Sequence, residues 1–161
     1  MTFKKIIGKI HLWLGFLAGL VVVISMTAAA IFVWEEELTD WYYADCVFVK
    51  EQATRQPMST LFAAARQALP DKEVYGVEVF NEPQRAYVFT AFQRNQATDG
   101  WTFWDDYLYW DKVYVDPYTG QVTGTVNMLT NWIELTRRLH QNLLLRYDIG
   151  HWIVGVATLI I

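Results

Sequence analysis

The fold of this chain is decided by residues 12–33, which read LWLGFLAGLVVVISMTAAAIFV. The stretch holds no Asp, Glu, Lys or Arg, and as a helix it would be about 33 Å long at about 1.5 Å per residue. The hydrocarbon core of a bilayer is about 30 Å thick, so a helix of this length spans it. A helix that packs on a small soluble core keeps a polar face, whereas this stretch is apolar nearly throughout. We therefore predict a transmembrane helix over residues 12–33.

The charges that flank this stretch predict its orientation. Lys4, Lys5 and Lys9 precede it without any acidic residue, whereas Glu35-Glu36-Glu37 and Asp40 follow it. Basic residues beside a span are retained in the cytoplasm, so we expect the N-terminus in the cytoplasm and the segment after the span outside.

A cleaved signal peptide is the alternative interpretation of this end of the chain. The basic start, the apolar run and the small residues Ala28-Ala29-Ala30 resemble a cleavage region. The apolar run continues through residues 31–34, beyond any such cut, which favours an uncleaved anchor.

Length, charge and motifs limit the function of the remaining residues. With 161 residues there is room for one modest domain beside the membrane segments. All 17 acidic residues but only 10 of the 13 Lys and Arg follow residue 34, so that part has a formal net charge of −7. This balance argues against nucleic acid as a partner. The sequence also has no Gly-rich phosphate loop, no His-Glu-x-x-His motif and a single cysteine, Cys46, which excludes an internal disulfide.

Residues 35–128 have the pattern of a small α+β domain. Ser59 is the predicted N-cap of a helix whose apolar face contains Leu61 and Ala65. Alternating apolar and polar residues then predict strands, with a tight turn at residues 116–120 before the last one. A helix followed by consecutive hairpins predicts a helix that covers one face of an antiparallel sheet. The predicted strands are residues 74–80, 85–93, 101–115 and 121–126.

An amphipathic helix is predicted within residues 129–149. Asn131 followed by Glu134 fits a capping box, and helical spacing continues to Leu145. Residues 150–161 are apolar nearly throughout, but about ten residues cannot span a bilayer. We therefore expect residues 150–161 to begin a second transmembrane helix, in a chain truncated from a longer protein.

Four blocks of sequence resemble, in order, the PepSY-associated transmembrane family. The resemblance depends on all four blocks in their order along the chain, since no single block would be enough to indicate the family. Ala28 departs from the pattern, which usually has Gly after Thr27. The blocks are KIHLWLG at residues 9–15, VYVDPYTG at residues 113–120, RLHQNLLL at residues 138–145 and GHWIVG at residues 150–155.

The resemblance implies a location and a function. Family members look like bacterial inner-membrane proteins with several membrane helices and a PepSY domain in the periplasm, which would here be residues 35–149 including the connecting helix. Many are linked to iron uptake, and the better understood members resemble reductases that pass electrons through haem b to ferric siderophores. The implied partners are the lipid bilayer, other membrane helices or subunits, and a ferric siderophore.

His11 and His140 are the candidate ligands of haem iron. His11 lies at the edge of the predicted span, where an ionisable group is costly, on a helix face that also carries small residues such as Gly15, Ala18 and Ser25. His140 lies on the apolar stripe of the amphipathic helix. The resemblance implies that these two histidines are axial ligands, one near each membrane face. The alternatives are an interfacial histidine that hydrogen-bonds lipid for His11 and a satisfied, partly buried one for His140.

His151 is a third candidate for cofactor binding. It follows His140 by eleven residues, so the two would share a face of a continuous helix. Three histidines cannot complete two sites with two axial ligands each, so the others would come from further helices or a partner. Two other functions are open: a non-enzymatic membrane-anchored PepSY module that binds a peptide or protein, and a non-functional remnant.

The orientation is directly testable. We expect a topology reporter fused near residue 100 to be active outside the cytoplasm, because the lysines hold the N-terminus inside. We also expect the protein to stay with membranes after a carbonate wash. A reporter that is active only in the cytoplasm would contradict the predicted orientation.

Overall fold

The computed structural model describes residues 3–161, which form two compact units. The first, here called the helical unit, contains the residues up to Trp34 together with residues 99–105 and 135–161. The second, the sheet unit, contains residues 35–98 and 106–134.

The helical unit is built on one long helix, α1 (Phe3–Phe32). Within residues 3–161 it is the one helix that is both long enough and apolar enough to cross a membrane, so the predicted helix over residues 12–33 is confirmed. The shorter apolar helix α6 (Tyr147–Ile160) packs against it. Ala18 of α1 and Ala157 of α6 are buried where these two helices meet, because small side chains let helices approach closely.

The sheet unit has the predicted α+β layout. Four antiparallel strands follow one another in space in the order of the chain, so each neighbouring pair is joined by a direct connection. The strands are β1 (Val74–Glu78), β2 (Tyr87–Arg94), β3 (Tyr107–Val115) and β4 (Val122–Asn127). The helices are α2 (Glu35–Tyr42), α3 (Ala44–Val47), α4 (Met58–Ala68) and the start of α5 (Trp132–Asn142).

Both faces of the sheet are covered, because successive side chains of a strand point to opposite sides. On one face, Leu61 and Ala65 of α4 pack against Phe89 and Val113, which are paired across β2 and β3. Val47 of α3 belongs to the cluster on the opposite face. The other buried members of that second cluster are Ala86, Val88, Tyr114, Val126 and Met128.

Two local sequence signals act as predicted. Gly120 has φ of 73° in the turn between β3 and β4, and its amide donates to the carbonyl of Asp116 at 2.9 Å. Asn131 caps α5, since its side-chain oxygen accepts the amides of Ile133 at 2.8 Å and Glu134 at 3.0 Å. Both are contacts between near neighbours in sequence, which is why the pattern reveals them.

Several predicted boundaries were wrong. The first strand, predicted to end at residue 80, ends at Glu78, and the second, predicted to begin at residue 85, begins at Tyr87. The helix predicted from the N-cap Ser59 begins at Met58, because Pro57, with ψ of 141°, is the last residue outside the helical conformation and is therefore the N-cap. The strand predicted over residues 101–115 begins only at Tyr107. The helix predicted to continue to Leu145 ends at Asn142.

A short 3-10 helix at Phe103–Asp106 replaces the start of the predicted third strand. The carboxylate of Asp105 accepts the amide of Thr102 at 2.9 Å and its hydroxyl at 2.6 Å. These hydrogen bonds lower the pKa of Asp105, since they stabilise the ionised carboxylate. A side chain that hydrogen-bonds nearby backbone groups in this way competes with the hydrogen bonds between strands.

We expect Leu61→Ala to destabilise the sheet unit by about 2–5 kcal/mol, because Leu61 is fully buried between α4 and the sheet. The matched control is Leu108→Ala, since Leu108 is 58% exposed on β3 and should change stability by less than about 0.5 kcal/mol. Urea unfolding in detergent micelles, followed by tryptophan fluorescence, measures both. Equal losses for the two variants would show that the core does not lie under α4.

Candidate functional site

The end of α5 is tied to the last third of the membrane helix α1 by hydrogen bonds between His140 and Ser25. The hydroxyl of Ser25 donates to the backbone carbonyl of His140 at 2.6 Å. In return, the His140 ring nitrogen Nδ1 lies 3.1 Å from the backbone carbonyl of Ser25 and 3.2 Å from its hydroxyl. Ser25 is only 4% exposed, so these bonds form away from solvent. The two residues therefore lock α5 to α1.

This contact fixes the tautomer of His140. A carbonyl oxygen only accepts hydrogen bonds, so Nδ1 carries the hydrogen and donates it to Ser25. In the neutral imidazole, the other ring nitrogen, Nε2, then has its lone pair available. Nε2 has no hydrogen-bond partner among residues 3–161. A neutral imidazole with this hydrogen on Nδ1 is a metal ligand through Nε2.

His140 and His151 line the same cleft, although no continuous helix joins them. The cleft has a volume of about 320 Å³ and lies between the end of α5 and the first turns of α6. The rings of Tyr147 and His151 stack in it, with centroids 5.3 Å apart and planes 18° from parallel. The other lining residues are Gln141, Val154 and Gly155.

A tight reversal between α5 and α6 brings the two histidines together. Leu143 and Leu144 have φ of 58° and 60°, a left-handed conformation that non-glycine residues seldom adopt. The side-chain amide of Asn142 donates to the carbonyl of Leu145 at 2.7 Å and closes the reversal. Gly150 packs directly on the backbone of Asn142, where a Cβ atom would collide with the carbonyl oxygen. The continuous helix that was expected to join His140 and His151 is therefore replaced by two helices, α5 and α6, which share a cleft.

The segment of residues 99–105 supports this reversal from the other side. The amide of Phe103 donates to the carbonyl of Leu144 at 2.9 Å, and the amide of Arg146 donates to the carbonyl of Trp101 at 2.8 Å. Phe103 is 1% exposed, and the guanidinium of Arg138 lies 5.1 Å from the centre of its ring. These long-range contacts hold the strained leucines in place.

His11 lies elsewhere in the helical unit. It is exposed on α1, on the same face as Leu14, Ala18 and Ser25, which follow it by three, seven and fourteen residues. Leu14 and Ala18 line a groove with Ala157 and Ile160 of α6. His11 precedes Ser25 by fourteen residues, so it lies about 21 Å along α1 from the level of His140. The two histidines cannot contribute to one and the same site.

The remaining polar residues do not form a site for a bare metal ion. Within residues 3–161, no three side chains of His, Cys, Asp or Glu are placed together as ligands. Cys46 packs against Gly124 in the sheet unit, and burial raises the pKa of its thiol, with a smaller contribution from the charge of Asp45. The triplet Glu35-Glu36-Glu37 forms the first turn of α2, where carboxylates are favoured by the helix dipole.

Sequence reasoning placed Ser25 on the small-residue face of the helix but gave it no partner. Its role depends on His140, which is 115 residues away in the chain. A serine in an otherwise apolar span is the signal that could have prompted the search, because buried hydroxyls find partners.

The chain matches a known protein-family model. Residues 9–161 match the family described as the PepSY-associated TM region, so the match includes His11, His140 and His151. A comparison with curated proteins found no match.

We expect Ser25→Ala to destabilise the helical unit by about 0.5–1.5 kcal/mol, because the carbonyl of His140 loses its buried donor. Thr27→Ala is the matched control, since the Thr27 hydroxyl bonds only the carbonyl of Val23 in its own helix. Thermal unfolding in detergent micelles gives the magnitude, and amide hydrogen exchange over residues 132–160 locates it. Identical exchange in both variants would show that Ser25 does not hold α5.

Proposed function

Because the chain belongs to the PepSY-associated TM family, we propose that it acts in iron uptake, as the part of a bacterial inner-membrane protein that passes electrons through haem b to ferric siderophores. The observation that carries this proposal is the state of His140, whose Nδ1 hydrogen is held by Ser25 and whose Nε2 is without a partner in residues 3–161. This is the arrangement of a histidine prepared to bind iron.

The proposed orientation puts the N-terminus in the cytoplasm and residues 35–149 in the periplasm. Three lysines stand before the membrane helix and three glutamates directly after it, which supports this direction. In this orientation His140 lies toward the periplasmic end of α1 and His11 toward the cytoplasmic end.

The hydrogen bond to Ser25 gives His140 two properties that a ligand needs. It fixes the direction of the ring, and it keeps the hydrogen on Nδ1, so that Nε2 is the nitrogen left for iron. Since Ser25 is buried in the packed face of α1, the ring is held by a rigid element rather than by a loop.

The residues present fit haem better than a bare metal ion. A bare ion needs three or four protein donors, which the described residues do not bring together, whereas haem iron needs one donor from each side. When bound, haem supplies one-electron transfer. We assign His140 and His11 as axial ligands of two separate groups about 21 Å apart along α1. His151, which lines the His140 cleft, contacts the cofactor without binding iron.

The second axial ligands come from outside this set of histidines. We propose that other membrane helices or subunits provide them, and that these helices pack on the apolar side chains that α1 and α6 expose. The exposed residues of α6 include Trp152, Val156 and Leu159, which also fit contact with lipid.

Haem retention tests the proposal. The purified chain in detergent is incubated with haem b, with or without imidazole as an external second ligand, and the haem that co-elutes on gel filtration is measured by its Soret band. We expect little haem with the chain alone and more when imidazole is present, because each b-type iron takes two strong ligands. His11→Ala and His140→Ala should each remove roughly half of that gain.

Two results would count against this assignment. Equal retention of haem by the wild type and both histidine variants would show that neither histidine binds haem iron. It would favour the non-enzymatic binding module. A stoichiometric haem complex without imidazole would contradict the proposed need for further ligands. Thr27→Ala serves as the matched control, since Thr27 contacts neither histidine.

A further inference from the structure

The sheet unit contains a cavity of about 290 Å³ on the face of the sheet opposite α4. Helix α2 forms one wall, and strands β1, β2 and β3 form the other. Val47, Ala86 and Val88 are buried apolar residues of its lining. The cavity is thus a small space with an apolar floor, built within one folded unit.

Tyr114 brings an unused hydrogen-bonding group to this cavity. The residue is only 7% exposed, yet its hydroxyl has no hydrogen-bond partner among residues 3–161. The one fully enclosed side-chain polar atom without a partner in that part of the chain is Oδ1 of Asn142, so the Tyr114 hydroxyl reaches the open space of the cavity. Burial raises the pKa of Tyr114 to about 12, so the group stays neutral and can both donate and accept.

The charges around the cavity favour a cation. Arg85 forms an ion pair with Asp40, and the ammonium of Lys112 lies 3.2 Å from the carboxylate of Glu78, so both cations of the lining are already paired. Glu36, at the rim, is exposed and has no ion pair within residues 3–161. With Glu35 beside it, the lining carries more carboxylates than cations, so an anionic ligand is disfavoured.

We infer that this cavity binds an ammonium group on a short aliphatic chain that ends in a second polar group. The ammonium lies at the Glu36 rim, the aliphatic chain covers Val47 and Val88, and the far polar group exchanges a hydrogen bond with the Tyr114 hydroxyl. An apolar wall with a few convergent polar groups is the usual construction of a small-molecule site. This inference does not depend on haem or on the histidines.

A set of matched probes tests this site by titration calorimetry on the whole chain in detergent. The probe is 5-amino-1-pentanol. Pentylamine lacks its hydroxyl, 1,5-pentanediol lacks its charge, and 5-hydroxypentanoate carries the opposite charge. We expect 5-amino-1-pentanol to bind more tightly than the other three. Binding weaker than about 10 mM, or equal binding of the diol or the anion, would overturn the inference.

Variants assign the two ends of the ligand. Tyr114→Phe keeps the buried ring. We expect it to weaken the binding of 5-amino-1-pentanol by about threefold to tenfold and to leave the binding of pentylamine unchanged. Glu36→Gln should weaken the binding of both amines by roughly fivefold, since solvent screens the attraction between an exposed carboxylate and an ammonium group. Glu37→Gln is the matched control, because Glu37 is the neighbouring exposed glutamate and does not line the cavity.

The same variants decide whether a failed titration reflects misfolding. Near-UV circular dichroism of each variant should match that of the wild type, since neither substitution removes apolar volume. With that spectrum unchanged, equal affinity of wild type, Tyr114→Phe and Glu36→Gln for 5-amino-1-pentanol would place the ligand elsewhere. Nα-acetyl-lysine N-methylamide, used as a competitor, distinguishes a lysine side chain of a peptide from a free amine as the source of the ammonium group.

Discussion

The paired hydrogen bonds between Ser25 and His140 are the constraint on which the helical unit depends. A hydroxyl and a carbonyl on α1 are both used by one histidine, so the end of α5 has a single position along the membrane helix. In an apolar environment each of these polar groups would be costly to leave unpaired, which makes the position specific as well as stable. The hydrogen on Nδ1 of His140, and therefore the ring nitrogen that is left without a partner in residues 3–161, follows from the same contact.

The reversal after Asn142 is the second element that the site needs. Two consecutive leucines in the left-handed region cost free energy, of order 1–3 kcal/mol each, and persist only where surrounding contacts hold them. The backbone bonds from Phe103 and Arg146 and the close packing of Gly150 supply those contacts. This is why a segment distant in sequence, residues 99–105, belongs to the helical unit.

Much of the fold could be predicted from the sequence, while the site could be predicted only as a set of candidate residues. The membrane helix, the α4 face with Leu61 and Ala65, the Asn131 cap and the turn at Gly120 all follow from neighbouring residues. The start of β3 could not, because the bonds of Asp105 to Thr102 compete with strand pairing and alternation does not reveal them. His11, His140 and His151 were identified, and His11 was expected to lie apart from His140, but the reversal that brings His140 and His151 into one cleft was not visible from spacing along an assumed continuous helix.

The sequence by itself determined where the chain meets lipid and that a helix and an antiparallel sheet follow, because hydrophobic length and period-two alternation are local properties of the chain. The tertiary structure alone decided which polar groups come together: Ser25 bonds His140 across 115 residues, His140 and His151 line one cleft, and Tyr114 lines one cavity with Glu35 and Glu36. The physical reason is that a hydrogen bond acts over about 3 Å, so it depends on the three-dimensional register of packed elements.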